Sequence, residues 1–168
     1  MKTLYLIGGT MGVGKTTVCN VLKKELPCAV FLDGDWCWDL HPFRVTAATK
    51  AMVMDNIHAM LGNFLSCPDI ENIVFCWVMH EQQIIDDVLS GLSLEGVRVI
   101  PISLVCSGEE LKRRLEKDVR CGLRTKDILD RSLPRLSLYE SLNTIRIDTT
   151  GNTPEQIAGL IREEGRKI

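Results

Sequence analysis

The stretch Gly9-Thr10-Met11-Gly12-Val13-Gly14-Lys15-Thr16 constrains this chain more than any other. It fits the phosphate-loop (P-loop) pattern GxxxxGK[ST] without mismatch. The apolar run KTLYLIG (residues 2–8) precedes it, and a segment of helical period (residues 15–26) follows, with Val18, Val21, Leu22 and Leu26 on one face. The chemistry requires that strand–loop–helix context. Gly12 and Gly14 let the backbone curl until successive N–H groups point inward at a phosphate. A helix opening at Lys15 adds the positive end of its dipole. Lys15 is then placed to reach the β- and γ-phosphates of a nucleoside triphosphate, and the Thr16 hydroxyl to ligate Mg²⁺. Gly9, Met11, Val13 and Thr17 complete the expected cradle, and ATP with Mg²⁺ is the expected ligand pair.

The remaining pattern suits such a loop. Apolar runs at 28–33, 72–79, 97–105 and 143–148 read as strands, and helical periods span about 46–66 and 81–92. Ser107-Gly108-Glu109-Glu110 and Thr153-Pro154-Glu155-Gln156 are capping-box sequences that open two further helices. Continuous apolar strands alternating with helices imply an α/β fold: a parallel sheet covered on both faces, in three layers. At 168 residues the chain is expected to form one domain, 1–168. A net charge of −2 gives no global reason to expect nucleic acid or an anionic membrane as partner. No run approaches the roughly 18 apolar residues of a membrane span, and the start lacks the long apolar core of a signal peptide. The seven cysteines are odd in number, form no CxxC and mostly sit among apolar residues. They read as reduced core thiols of a cytoplasmic protein. Whether the chain is a monomer or a dimer is left open.

Asp33-Gly34-Asp35 closes the second strand, where carboxyl ends line the ligand crevice of an open α/β sheet. One acid can hold Mg²⁺ and the other can orient or deprotonate an acceptor hydroxyl. We assign Asp33 to the metal with Thr16, and Asp35 to the acceptor, although the sequence does not fix which is which. The third strand ends Trp77-Val78-Met79-His80-Glu81, without the aspartate many P-loop ATPases place there. His80 is either an acceptor contact or a helix-start residue without chemical role. Trp36, Trp38 and Phe43 follow the acid pair and form either an aromatic wall for the acceptor or a loop packed on the core. Met52, Met54 and Met60, with Ile57 and Leu61, read as the core face of their helix. Nine of the twenty Lys and Arg lie in residues 112–135. Cys121-Gly122 interrupts a helix there, between Arg120 and Arg124. An arginine-bearing flap of this kind, at about 116–131, suits a lid that closes over a transferring phosphoryl group.

These features together resemble the P-loop small-molecule kinases: shikimate kinase, gluconate kinase, nucleoside-monophosphate kinases and the chloramphenicol phosphotransferase group. The echoes of shikimate kinase are ordered: the P-loop, the acid pair Asp33-Gly34-Asp35, the paired Arg113-Arg114 after a capped helix start, the lid arginine Arg120, Arg135-Leu136-Ser137-Leu138-Tyr139, and a last strand running into IDTTGNTPEQI. The resemblance implies a P-loop NTPase fold with a five-stranded sheet of order 2-3-1-4-5. It implies that Arg114 (or Arg113) stacks on adenine beside Thr149, Gly151 and Asn152. Arg120 would meet the phosphates, and Arg135 would contact both acceptor and phosphate. The expected reaction is in-line phosphoryl transfer to a small-molecule acceptor. Asp35 orients the acceptor hydroxyl, Lys15, Mg²⁺ and Arg120 stabilise the transferring group, and Trp36, Trp38, His80 and Arg124 flank the acceptor. A regulatory ATPase or a nucleotide sensor without a small acceptor is the alternative. The acceptor half departs from each relative. Met79-His80-Glu81 replaces the glycine-rich turn of shikimate kinase. Gly34-Asp35 and His41-Pro42 only partly echo gluconate kinase. The DG[FY]PR element of nucleoside-monophosphate kinases is missing.

Overall fold

A computed structural model describes residues 1–167. Five strands, β1 (Lys2–Gly8), β2 (Ala29–Asp33), β3 (Asn72–Cys76), β4 (Val97–Val105) and β5 (Ile145–Asp148), form one sheet. Every pairing is parallel and the order is β2-β3-β1-β4-β5, as the resemblance implies. Six helices accompany it: α1 (Lys15–Glu25), α2 (Ala47–Ser66), α3 (Gln82–Ser90), α4 (Gly108–Arg120), α5 (Ile128–Ser132) and α6 (Pro154–Glu164).

The two-residue period of β1 divides the core. Tyr5 and Ile7 join Val18 and Leu22 of α1 and Ile157 and Ile161 of α6 on one face. Leu4 and Leu6 join Val53, Ile57 and Leu61 of α2 and Ile85 and Val88 of α3 on the other. Each fully buried aliphatic side chain contributes about 1.5–3 kcal/mol, so these two layers hold the sheet between its helices. A third cluster, Leu111, Leu115 and Ile128 with Met11 against it, roots α4 on the P-loop itself. No described helix is long and apolar enough to cross a membrane.

Several expectations are corrected. The third strand stops at Cys76 rather than residue 79. Trp77 and Val78 still bond β1, through Trp77 N–H to Ile7 O (3.2 Å) and Gly9 N–H to Val78 O (3.3 Å), and Met79 then turns at φ 37. The aromatic segment is partly a 3-10 turn, Gly34–Trp38. In α2, residues 53, 57 and 61 are buried at spacing i, i+4, which leaves Met52 and Met60 on the exposed side. Of the seven cysteines, only Cys19 and Cys76 are buried; Cys28 and Cys121 are exposed. The Thr153 capping box is complete, with Gln156 N–H donating to Thr153 Oγ1 and Thr153 N–H to Gln156 Oε1. The Ser107 box is half formed. Glu110 N–H donates to Ser107 Oγ (3.2 Å), but the Glu110 carboxylate turns to Arg113 and Arg114, and Thr150 Oγ1 takes the Ser107 N–H instead. Two guanidinium partners outcompete one backbone amide.

Candidate active site

The carboxyl ends of the strands converge on a cleft of about 850 Å³. The P-loop after β1 forms its floor, through Met11, Gly12, Val13, Gly14, Lys15, Thr16 and Thr17. Asp33 and Asp35 enter from the end of β2, Arg113 and Arg114 from α4, and Gly151 and Asn152 from the loop after β5. Residues far apart in sequence meet here because all five parallel strands end on one side of the sheet.

Within the cleft, the Thr16 hydroxyl donates to Asp33 Oδ2 at 2.8 Å. The other Asp33 oxygen accepts from the Asp35 backbone N–H at 3.1 Å, which fixes the turn into the 3-10 segment. Asp33 is buried, whereas Asp35 is exposed to the cleft. Protein crowded around the Asp35 carboxyl raises its pKa, and the neighbouring Asp33 carboxylate adds to that; Lys15, the Trp77 indole and Arg124 pull the other way. The Lys15 ammonium donates to Gly9 O (2.8 Å) and Thr10 O (3.1 Å). Desolvation lowers its pKa, against the pull of the Cys76 thiol and the Asp35 and Asp33 carboxylates. The base of the loop is tied down as well. Thr10 Oγ1 donates to Ser132 O at 3.0 Å, and the buried Tyr139 hydroxyl to Val78 O at 2.6 Å.

Arg114 is a brace. Its Nε donates to Glu110 Oε1 (2.7 Å), one terminal nitrogen to Val13 O (2.9 Å) and Thr149 Oγ1 (3.0 Å), and the other to Thr149 O (3.0 Å). One guanidinium thus joins α4, the P-loop and the loop after β5. Thr149 is fully buried behind the cleft and serves it through this bond. Arg113 pairs with both oxygens of Glu110 and keeps its side chain two-thirds exposed along the cleft. The hydrogen bonds from Arg113 and Arg114 hold the Glu110 pKa down at about 2.

The other expected residues fall elsewhere. Gly9 is buried beneath the loop. Arg120 is exposed and does not line the cleft; Arg124 does, because α4 ends at Arg120 and the chain folds back through Cys121 and Gly122. Trp36 packs edge-on against Phe31 and Trp38 against Phe43, and neither lines the cleft. His80 and Arg135 neighbour each other outside it. Burial, and then the Arg135 charge, lower the His80 pKa against the pull of Glu81, and His80 Nδ1 is buried without a partner.

Sequence reasoning missed Glu110, Asp118, Lys117, Leu123 and Trp77. The i, i+3 and i, i+4 spacing of Glu110 to Arg113 and Arg114 was a readable signal. Trp77 gave none: its ring lies so close to Gly34 that a Cβ there would come within 2.6 Å of it.

The AAA domain family matches residues 6–130, most of the chain. The chain belongs to this family. No curated protein matches the sequence significantly. Solved structures share the family fold at low identity. The tunicamycin resistance protein of Deinococcus radiodurans is 17% identical with a TM-score of 0.68, covering 98% of this chain and 96% of its own. A gluconokinase from Sinorhizobium meliloti 1021 is 18% identical (TM-score 0.63; 98% and 94% covered). The shikimate kinase of Acinetobacter baumannii, in complex with shikimate, is 19% identical (TM-score 0.63; 100% and 96% covered). The fold of this family member is therefore the small-molecule P-loop kinase fold.

Proposed function

We propose that this chain transfers the γ-phosphoryl group of ATP to a hydroxyl of a small-molecule acceptor. One observation carries the reading. Thr16 and Asp33 meet at 2.8 Å beside the P-loop lysine, and Asp35, two residues beyond, opens into the same cleft. A phosphate cradle, a pair of hard oxygens and a second, exposed acid are what phosphoryl transfer to a hydroxyl needs. The names of two structural relatives, a gluconokinase and a shikimate kinase, agree with it.

Thr16 Oγ1 and Asp33 Oδ2 suit Mg²⁺, which binds through one or two protein oxygens and completes its shell with phosphate and water. When bound, it supplies positive charge to the phosphate oxygens. The chain's own residues do the rest. The P-loop N–H groups and Lys15 hold the phosphates in line with the acceptor. Asp35 orients the acceptor hydroxyl and takes its proton. The acceptor oxygen bonds to the γ-phosphorus as the bond to the β,γ-bridging oxygen breaks, and ADP leaves with the electron pair. Arg124, which lines the same cleft, supplies donors to the developing charge, while Arg114 braces the P-loop behind it.

The test is ADP release from Mg·ATP against a panel of nucleosides, nucleotides, shikimate, gluconate, other sugars and phenicol- or aminoglycoside-type antibiotics, with Lys15→Ala as control. Acceptor-dependent release that disappears in Lys15→Ala is expected. Slow release indifferent to every acceptor would refute the reading and favour a regulatory ATPase or sensor.

A further inference from the structure

Arg124 stands in the cleft and Arg120 does not. After α4 ends, the chain reverses through Cys121 and Gly122, with Gly122 at φ 70. Leu123 N–H then donates back to Asp118 O at 2.9 Å, and Arg124 Nε donates to Asp118 Oδ2 at 3.1 Å. A single residue therefore grips the reversal by backbone and side chain together. Asp118 is in turn fixed, since α4 is rooted by the fully buried Leu111 and Leu115, and Leu115 lies directly against Gly12 of the P-loop. A rigid path runs from the phosphate loop through Leu115 and Asp118 to the Arg124 guanidinium. That guanidinium lines the same cleft as Asp33 and Asp35, and its charge acts weakly on the Asp35 carboxyl.

The pair does little for stability. The Asp118 and Arg124 side chains are 31% and 35% exposed, and such ion pairs are screened by water. Its consequence is positional. A free arginine on a long stem loses rotamer freedom when it docks on a phosphate, and an arginine already held in place does not.

We propose that Asp118 is a positioning residue that holds Arg124 over the P-loop cleft, where the guanidinium meets the γ-phosphate of the bound nucleotide. The inference rests on the phosphotransferase reading only for the γ-phosphate's place above the P-loop.

The experiment compares Mg·AMPPNP with Mg·ADP binding by calorimetry, because the ratio of the two affinities isolates the terminal phosphate and needs no acceptor. In Asp118→Ala the ratio should fall about tenfold, with Mg·ADP affinity and Tm unchanged. Asp118→Asn should recover part of it, since its amide oxygen still accepts from Arg124. Arg124→Ala should lose at least as much as Asp118→Ala, and the double variant no more than Arg124→Ala alone. Arg131→Ala breaks the more exposed Arg131–Asp127 pair (3.0 Å) of the same segment and should leave the ratio intact. An unchanged ratio in Asp118→Ala would overturn the inference. So would equal losses for both nucleotides, or a loss that tracks Tm. A failed acceptor panel with the ratios as expected would refute the phosphotransferase reading alone. A wild-type chain that binds neither nucleotide would refute both.

Discussion

Replacing Gly12 with alanine should damage this protein in two separable ways. Gly12 sits at φ 84, a conformation that disfavours any side chain, and adopting it costs alanine about 1–2 kcal/mol. The added Cβ would also lie 2.5 Å from Leu115 Cδ2, 3.0 Å from Leu115 Cγ and 3.3 Å from Leu111 Cδ1. Both leucines are fully buried in the cluster that roots α4, so neither has a free rotamer to retreat into. Overpacking of this kind costs about 1–3 kcal/mol. The total is roughly 2–5 kcal/mol. Gly14→Ala is the matched control: its φ is 107, yet nothing lies within 4 Å of an added Cβ. It carries backbone strain without the clash, so Gly12→Ala should be less stable than Gly14→Ala by about 1–3 kcal/mol. Urea unfolding of the two variants and the parent measures this directly. Equal losses would refute the packing argument, and would mean that α4 rides loosely on the P-loop.

Asp33→Asn leaves Thr16 a hydrogen-bond partner but removes the hard anion, so Mg²⁺-dependent nucleotide affinity should fall at least about tenfold, while metal-free binding changes little; titrating nucleotide with and without Mg²⁺ reads the difference. Asp35→Asn should lower turnover at least about a hundredfold with nearly unchanged ATP affinity, and steady-state kinetics with parallel binding checks the split. The paired arginines hold Glu110 at about 2, below its ordinary 4.5, so its contribution is full above pH 4.5 and drains away as pH falls toward 2. Urea midpoints across that window should fall less steeply in Glu110→Gln than in the parent.

Much of the fold was readable because its signals are local. The P-loop is a contiguous pattern whose neighbours had to be strand and helix, and α1 begins at Lys15 as that pattern requires. Thr153-Pro154 opens α6 for an equally local reason, a side chain bonding its own helix end. The acids after β2 were legible because a strand's carboxyl end is a short-range feature. Boundaries were less legible where tertiary contacts decide them. β3 stops at Cys76 although Trp77 and Val78 keep bonding to β1, because the left-handed turn at Met79 redirects the chain.

The sequence by itself determined the P-loop between β1 and α1, the parallel α/β architecture and the acids at its edge, since each follows from neighbours along the chain. Only the tertiary structure decided which arginines line the cleft. Arg113, Arg114, Arg120 and Arg124 are alike as residue types, and their sequence spacing does not rank them. Arg114 becomes a brace because Val13 and Thr149, remote in sequence, offer it oxygens. Arg124 supplants Arg120 because the turn at Gly122 returns it to Asp118. Trp36 and Trp38 likewise leave the cleft for Phe31 and Phe43, partners that only the folded chain supplies. Long side chains go where the fold offers partners, and those partners are set by packing between elements rather than by order along the chain.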